Sequence, residues 1–345
     1  MPVPLPRQPE RVPWPTEQWP TDDPHPGLDR AAIHDLVHRV VARQPAELGV
    51  TLAVLAVQGG RLVAEAYGPG VDADTPLISW SMAKSMLHAV VGTAFRDGLI
   101  DPDAPAAVPE WANDERRSIT VRQLLRMRSG LAWVEDYVDD TVSDVIDMLF
   151  GSGAEDMGAH AASRPLVGPP GSVWNYSSGT SNIVSRLCRD TIAAAADHAE
   201  AAYRDYLQSE LFGPLGMRSA EPSFDGAGTW VGSSYVHATA RDFARFGLWY
   251  LRDGWWEDRR LLPPGWVDSA RSPHAHDAER NEDYGEHWWV LADGLGSFAA
   301  SGYEGQRIVV CPAADLVVVR LGKTPADLGD GWRDHLAAVV RAFAG

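Results

Sequence analysis

The stretch Leu77-Ile78-Ser79-Trp80-Ser81-Met82-Ala83-Lys84 holds one of only two lysines in a chain of 345 residues. The other is Lys323, although Lys and Arg together number 30. Arginine serves most surface roles of lysine, but its guanidinium keeps its proton in any protein environment, whereas a partly buried ammonium can be driven toward the neutral amine. A lysine kept three residues after a serine therefore points to a site that needs a deprotonatable amine. With Ser81 in the first turn of a helix, its backbone N–H is one of the unpaired donors at the positive end of the helix dipole. Lys84 lies one turn further along the same face, within reach of the Ser81 hydroxyl. Ser81 is thus a candidate nucleophile and Lys84 the group that activates it. Read alone, the tetrapeptide fits an N-capping serine and a solvated first-turn lysine equally well.

Working outward, the helix opened by Ser81 runs through Met86, Val90 and Phe95 and ends near Gly98. Before it, Val50–Gln58 and Arg61–Tyr67 read as strands joined at Gly59-Gly60, a hairpin signal. Residues 29–43 show helical periodicity. After it, helical patterns recur at 121–127, 143–149, 181–207 and 240–252. Beyond Tyr284 the period changes, and 288–292, 297–301, 306–311 and 316–321 read as successive strands before a last helix at 330–344. Strands at both ends around a helical middle predict an α/β (α+β) fold. An antiparallel sheet flanked by helices is expected from residues 28–100 and 280–345, with an all-α insertion at 101–279. Residues 1–27, dense in proline, read as an extended arm anchored by Trp14 and Trp19.

A formal charge of −17 argues against nucleic acid and anionic membrane surfaces, which call for concentrated Lys and Arg. The first 27 residues carry no apolar leader core, and no apolar run approaches membrane-spanning length, so a cytoplasmic protein is expected. Cys188 and Cys311 lie far apart and read as small buried hydrophobes.

Two further segments bear on chemistry. In Trp174-Asn175-Tyr176-Ser177-Ser178, set off by Gly168-Pro169-Pro170-Gly171, Tyr176 offers a phenolic oxygen to Ser81 and Ser178 a hydroxyl to the same network. In Ala300-Ser301-Gly302-Tyr303-Glu304-Gly305-Gln306, glycine permits close approach of substrate to backbone. There the Tyr303 N–H is placed to complete an oxyanion hole with that of Ser81. The plain alternatives are a tyrosine packed under a loop and two turn glycines between strands.

These residues resemble the serine β-lactamase and penicillin-binding-protein superfamily, most of all its class C-like branch with family VIII carboxylesterases and 6-aminohexanoate-dimer hydrolases. Supporting segments are Ile119-Thr120-Val121-Arg122-Gln123-Leu124-Leu125 leading to Ser129-Gly130-Leu131, then Leu211-Phe212-Gly213-Pro214-Leu215-Gly216-Met217, then Ala240-Arg241-Asp242-Phe243-Ala244-Arg245-Phe246-Gly247. The resemblance implies Ser81 as acyl-enzyme nucleophile with Lys84 and Tyr176 as its base pair. Ala300-Ser301-Gly302 stands where many relatives carry Lys-Thr-Gly or His-x-Gly, a departure that weakens a β-lactam reading. Gly302-x-x-Gly305-Gln306 and Tyr137, within Glu135-Asp136-Tyr137, look like the nylon-oligomer branch. Trp174, Ser178, Ser301, Gly302 and Glu304 join Tyr137 as expected substrate contacts.

The expected activity is hydrolysis of a small ester or amide through an acyl-enzyme, with linear amides such as 6-aminohexanoate oligomers as the sharper form. No metal or organic cofactor is expected, and a homodimer stays open. A penicillin-recognising enzyme and a catalytically silent binder are the alternatives. Other signals are weaker. His34 and His38 at i and i+4 fit an amphipathic surface helix better than a metal site. His274-Ala275-His276-Asp277 reads as a polar loop, and Gly322-Lys323-Thr324 is followed by Pro325 rather than glycine. No Gly-x-Ser-x-Gly elbow is present.

Overall fold

The computed structural model describes residues 3–137 and 143–345. Its centre is an eight-stranded antiparallel sheet: β1 (Val50–Gln58), β2 (Arg61–Tyr67), β3 (Ala275–Asp277), β4 (Glu282–Tyr284), β5 (Trp289–Val290), β6 (Phe298–Gly302), β7 (Gln306–Cys311) and β8 (Leu316–Lys323). The spatial order is β2-β1-β8-β7-β6-β5-β4-β3, so the first two strands of the chain pair with the last. The β1–β2 hairpin turns at Gly59 and Gly60, both at positive φ, as a tight two-residue turn requires.

Side chains alternate across the sheet, and both faces are covered. Val54, Ala56 and Val318 face Val37 and Leu336, from the helical stretch after residue 30 and the Gly331–Ala344 helix. Ala53, Leu55, Val57, Val317 and Val319 face Met82, Met86 and Phe243, from the helices Met82–Arg96 and Ala240–Leu251. Burial on both sides explains why β1 and β8 read as almost unbroken apolar runs. Gly247, in mid-helix, lets that helix close on the sheet: a Cβ there would sit 2.6 Å from Val317 Cγ1 and 2.7 Å from Ile308 Cγ2.

Three local expectations are corrected. Residues 274–277, expected as a polar loop, contain β3, whose Ala275 pairs with Tyr284 of β4. The helical pattern over 181–207 is two helices, Ser178–Ile192 and Ala199–Leu207, the first started one turn earlier by Ser177, which accepts from the Thr180 N–H. Within the middle of the chain, Val236–Ala238 pairs with Leu77–Ile78 on one side and Glu221–Pro222 on the other, a small sheet too short to show a period of two.

The proline-rich start lies on the body. Trp14 packs on Trp256 with ring centroids 5.0 Å apart, Trp19 Nε1 donates to the Arg241 carbonyl, and Arg245 Nε donates to the Pro15 carbonyl. Cys188 and Cys311 are free and buried, and burial pushes the Cys188 thiol up to about 12. Among the described residues, no helix is long and apolar enough to cross a membrane.

Candidate active site

The Met82–Arg96 helix is buried from Met82 through Ala94, so it presents no polar face to solvent and must run through the interior. The chain enters it through a sharp turn. Trp80 has φ of +42°, a left-handed conformation unfavourable for a bulky aromatic residue. Neighbours hold it there. The indole donates from Nε1 to Glu304 Oε2 at 3.3 Å and packs edge-on to Tyr303. Ser79 Oγ donates to the Ser234 carbonyl at 3.1 Å and accepts from the Val236 N–H at 3.0 Å.

Ser81 follows at the N-cap position, yet its hydroxyl makes no capping bond. It accepts instead from Lys84 Nζ at 2.9 Å. Lys84 is 1% exposed, which removes the solvated-lysine alternative. Its other partners are Ser178 Oγ at 2.9 Å and the Ser233 carbonyl at 3.0 Å, so Nζ lies among three oxygen atoms. Lys84 Nζ also lies 4.9 Å above the ring centroid of Tyr176. Tyr176 therefore meets the lysine with its ring face, and among the described residues its hydroxyl makes no hydrogen bond. Edge-on packing against Tyr284 and contact with Trp289 fix that ring.

Glu135 is the residue that sequence reasoning quoted without giving it a role. Ser178 donates to it twice, from Oγ to Oε1 at 2.5 Å and from N to Oε2 at 2.8 Å. Trp133 Nε1 reaches Oε2 at 2.6 Å, and the Tyr137 hydroxyl reaches Oε1 at 2.9 Å. The signal was the spacing: in an extended segment 133, 135 and 137 share one side. Burial, reinforced by the Glu135 charge, pushes the Tyr137 phenol well above its ordinary value, so it stays a neutral donor. Its ring stacks on Tyr303 at 5.2 Å.

Ser81 opens onto a cavity of about 840 Å³. Tyr137, Trp174, Tyr176, Ser301, Gly302 and Glu304 line it, together with Tyr303. Ser178 does not: it is fully buried beneath the floor, between Lys84 and Glu135. Gly302 abuts the Ser79–Trp80 turn, where an added Cβ would run into the Ser79 carbonyl oxygen. That contact sets the end of β6 beside the start of the helix. Ser301 Oγ accepts from Arg307 Nη1 at 3.1 Å, and Arg307 is itself paired with Glu282.

Behind the helix lies a second polar cluster that the sequence reading did not find. Glu286 is fully buried, with Arg126 at 2.8 Å, Arg122 at 3.1 Å and His88 at 3.6 Å. Burial pushes its carboxyl up, but His88 and Arg122 more than offset this and hold it well below the ordinary carboxylate range. His34 and His38 stack on each other, and among the described residues no group of three or more His, Cys, Asp or Glu side chains is arranged to hold a metal. Lys323 is exposed at the end of β8.

A cavity-lining serine bonded to a buried lysine at the start of a central helix, beside an antiparallel sheet flanked by helices, defines a class. The chain belongs to the beta-lactamase family, whose model matches residues 37–340. It is 27% identical over 294 residues to the 6-aminohexanoate-dimer hydrolase of Paenarthrobacter ureafaciens, covering 80% of this chain and 73% of that one. Among solved structures, a Bacillus anthracis protein provisionally named a 6-aminohexanoate-dimer hydrolase superposes with a TM-score of 0.77 at 19% identity, covering 99% of this chain and 89% of that one. A family VIII carboxylesterase gives 0.70 at 16% identity, covering 91% and 99%. The two structural likenesses show the shared fold.

Proposed function

We propose that the protein cleaves small esters and amides through an acyl-enzyme on Ser81. The observation that carries this reading is the buried Lys84 Nζ, 2.9 Å from Ser81 Oγ, at the wall of a cavity large enough for a small substrate. Lys84, with Tyr176 beside it, takes the Ser81 proton as Oγ attacks the carbonyl carbon. The N–H groups of Ser81 and Tyr303 receive the charge that develops on the carbonyl oxygen. Lys84 passes the Ser81 proton to the leaving group by way of the Tyr176 hydroxyl; a water that gives its proton to the same pair then attacks the acyl carbon, and Ser81 Oγ leaves with that proton.

Esters are the easier substrates, because an alkoxide needs less protonation to leave than an amine. Linear amides such as 6-aminohexanoate oligomers are the sharper form. The Paenarthrobacter relative's name supports it, as does Tyr137, which lines the cavity. A β-lactam substrate is less favoured, since β6 carries Ala300 where a lysine or histidine side chain would meet its carboxylate.

The test is a fluorophosphonate probe on the wild type and on Ser81→Ala, followed by nitrophenyl esters, the aminohexanoate dimer and a fluorescent penicillin. Labelling lost in Ser81→Ala, with ester turnover, is expected. A wild type that neither labels nor turns over any of these would sink the hydrolase reading and favour a binding protein. Ester turnover with the dimer left intact at high enzyme concentration would remove the linear-amide form alone.

A further inference from the structure

The turn Tyr303–Gly305, between β6 and β7, stands in the cavity wall with Ser81 and carries the Tyr303 N–H. Its backbone is not relaxed: Glu304 has φ of +59° and Gly305 of +81°. Each of its three carbonyls accepts a hydrogen bond from outside the turn. Gln306 Nε2 donates to the Tyr303 carbonyl at 3.0 Å, the Thr324 N–H to that of Glu304 at 3.0 Å, and Arg320 Nη1 to that of Gly305 at 2.8 Å.

Both side chains are buried and anchored at their far ends. Gln306 also donates to the Gly322 carbonyl at 2.6 Å and accepts from the Gly322 N–H at 2.9 Å. Arg320 Nη2 donates to the Leu48 carbonyl and to Thr324 Oγ1, each at 2.9 Å. The guanidinium fills the place that a Cβ at Gly305 would take. Among the described residues no carboxylate is paired with Arg320, and burial pushes its guanidinium down to about 10. A buried cation without a counter-charge is unfavourable. Here its donors go to backbone carbonyls and a hydroxyl, and one of those carbonyls belongs to the turn.

We infer that Gln306 and Arg320 are positioning residues that hold the Tyr303–Gly305 turn so that the Tyr303 N–H is aimed at the substrate's carbonyl oxygen. The inference rests on the hydrolase reading above. Neither side chain touches substrate; Gln306 fixes the Tyr303–Glu304 peptide plane and Arg320 the Gly305–Gln306 plane, and a misplacement of about 1 Å at such a donor costs up to about 100-fold in rate.

The experiment compares Gln306→Glu, Arg320→Met and Arg320→Lys with the wild type on p-nitrophenyl butyrate. Inhibition by phenylboronic acid, which forms a tetrahedral adduct on a nucleophilic serine, and the thermal midpoint are measured beside it. Gln306→Glu keeps an acceptor for the Gly322 N–H and replaces the donor to Tyr303 with an oxygen. The expected result is kcat lower by about 10- to 100-fold, KM within about twofold, and boronic acid affinity falling in step with kcat. Arg320→Lys, which keeps the cation but loses the fork, is expected to fall between wild type and Arg320→Met. Folded variants with unchanged kcat overturn the inference, as do variants that lose kcat but keep boronic acid affinity, or that change KM alone. If the first two fail to fold, Arg320→Lys decides by the same criteria. An active wild type with active variants refutes this inference only; a wild type that neither hydrolyses the ester nor binds the boronic acid refutes the hydrolase reading and this inference with it.

Discussion

Ser178 Oγ donates to Glu135 Oε1 across 2.5 Å while accepting from Lys84 Nζ at 2.9 Å. One hydroxyl thus links the buried Lys84 Nζ to a carboxylate that does not touch it. A hydroxyl both donates and accepts, so Ser178 can serve both partners at once. Lys84 and Glu135 are therefore joined in one hydrogen-bond network, with Ser81 Oγ as its other outlet.

Glu135→Gln is expected to disturb that network at its negative end. The carboxylate accepts from Ser178 N, Ser178 Oγ, Trp133 Nε1 and Tyr137 OH. An amide offers one acceptor oxygen and turns an NH₂ toward donors, leaving at least one of them unpaired at about 1–3 kcal/mol of stability. Ester kcat is expected to fall by about tenfold or more. Urea unfolding and steady-state kinetics check the two effects, and a glutamine variant equal to wild type in both would show that the carboxylate is dispensable.

Lys84→Arg keeps the positive charge but supplies a group that does not release its proton. If Lys84 is the base, this variant loses about 10²- to 10⁴-fold in kcat. Ester turnover near the wild-type rate would instead mean that charge alone matters at this position. Lys84→Met gives the neutral comparison, and both variants need a thermal midpoint, because the bulkier guanidinium must fit a closed pocket.

The strands and the serine–lysine pair were legible because their signals are local. Val50–Gln58 and Arg61–Tyr67 coincide with their observed bounds, and the distance from Ser81 to Lys84 follows from one helical turn. Cross-chain relations were less legible. Glu135 and Ser178 meet across 43 positions, Arg320 and Leu48 across 272. No period or motif encodes such pairs; only the closed sheet brings them together. Tyr176 was found as a residue but not in its orientation, because whether a ring offers face or hydroxyl is decided by Tyr284 and Trp289 packed against it. β3 was missed because three residues are too few to show alternation, and its histidine and aspartate read as loop.

Glu286 ties stability to pH. Its carboxyl is held below the ordinary value in the folded protein, so the unfolded chain binds the proton more readily. The stabilisation from this group is fully present above about pH 4.5 and is lost as pH falls below that, toward the folded value. Glu286→Gln is expected to cost about 1–3 kcal/mol at neutral pH, because Arg126 loses its carboxylate partner and Arg122 keeps only Asp103. It should also flatten the acid limb of a plot of thermal midpoint against pH. An acid limb as steep as that of wild type would assign the pH dependence to other carboxylates.

Gly302→Ala tests whether the end of β6 and the turn before Ser81 are set against each other. Gly302 has φ of −128°, extended backbone that any residue adopts, so its requirement is steric rather than conformational. An alanine Cβ would run into the Ser79 carbonyl oxygen and crowd Gln306 Cβ at 3.0 Å and Trp80 Cβ at 3.1 Å. The first of these is backbone, held by the bonds of Ser79 to Ser234 and Val236, and it cannot swing aside as a side chain would. The methyl must therefore push the strand and the turn apart, and with them the N–H groups of Tyr303 and Ser81. The stability cost is that of overpacking, about 1–3 kcal/mol. The rate cost is expected to be larger, about 100-fold in kcat for a shift of about 1 Å, since in the proposed mechanism both donors point to one oxygen. Calorimetry and ester kinetics on the same preparation separate the two, and a folded Gly302→Ala enzyme with wild-type kcat would mean that this contact does not set the spacing of the donors.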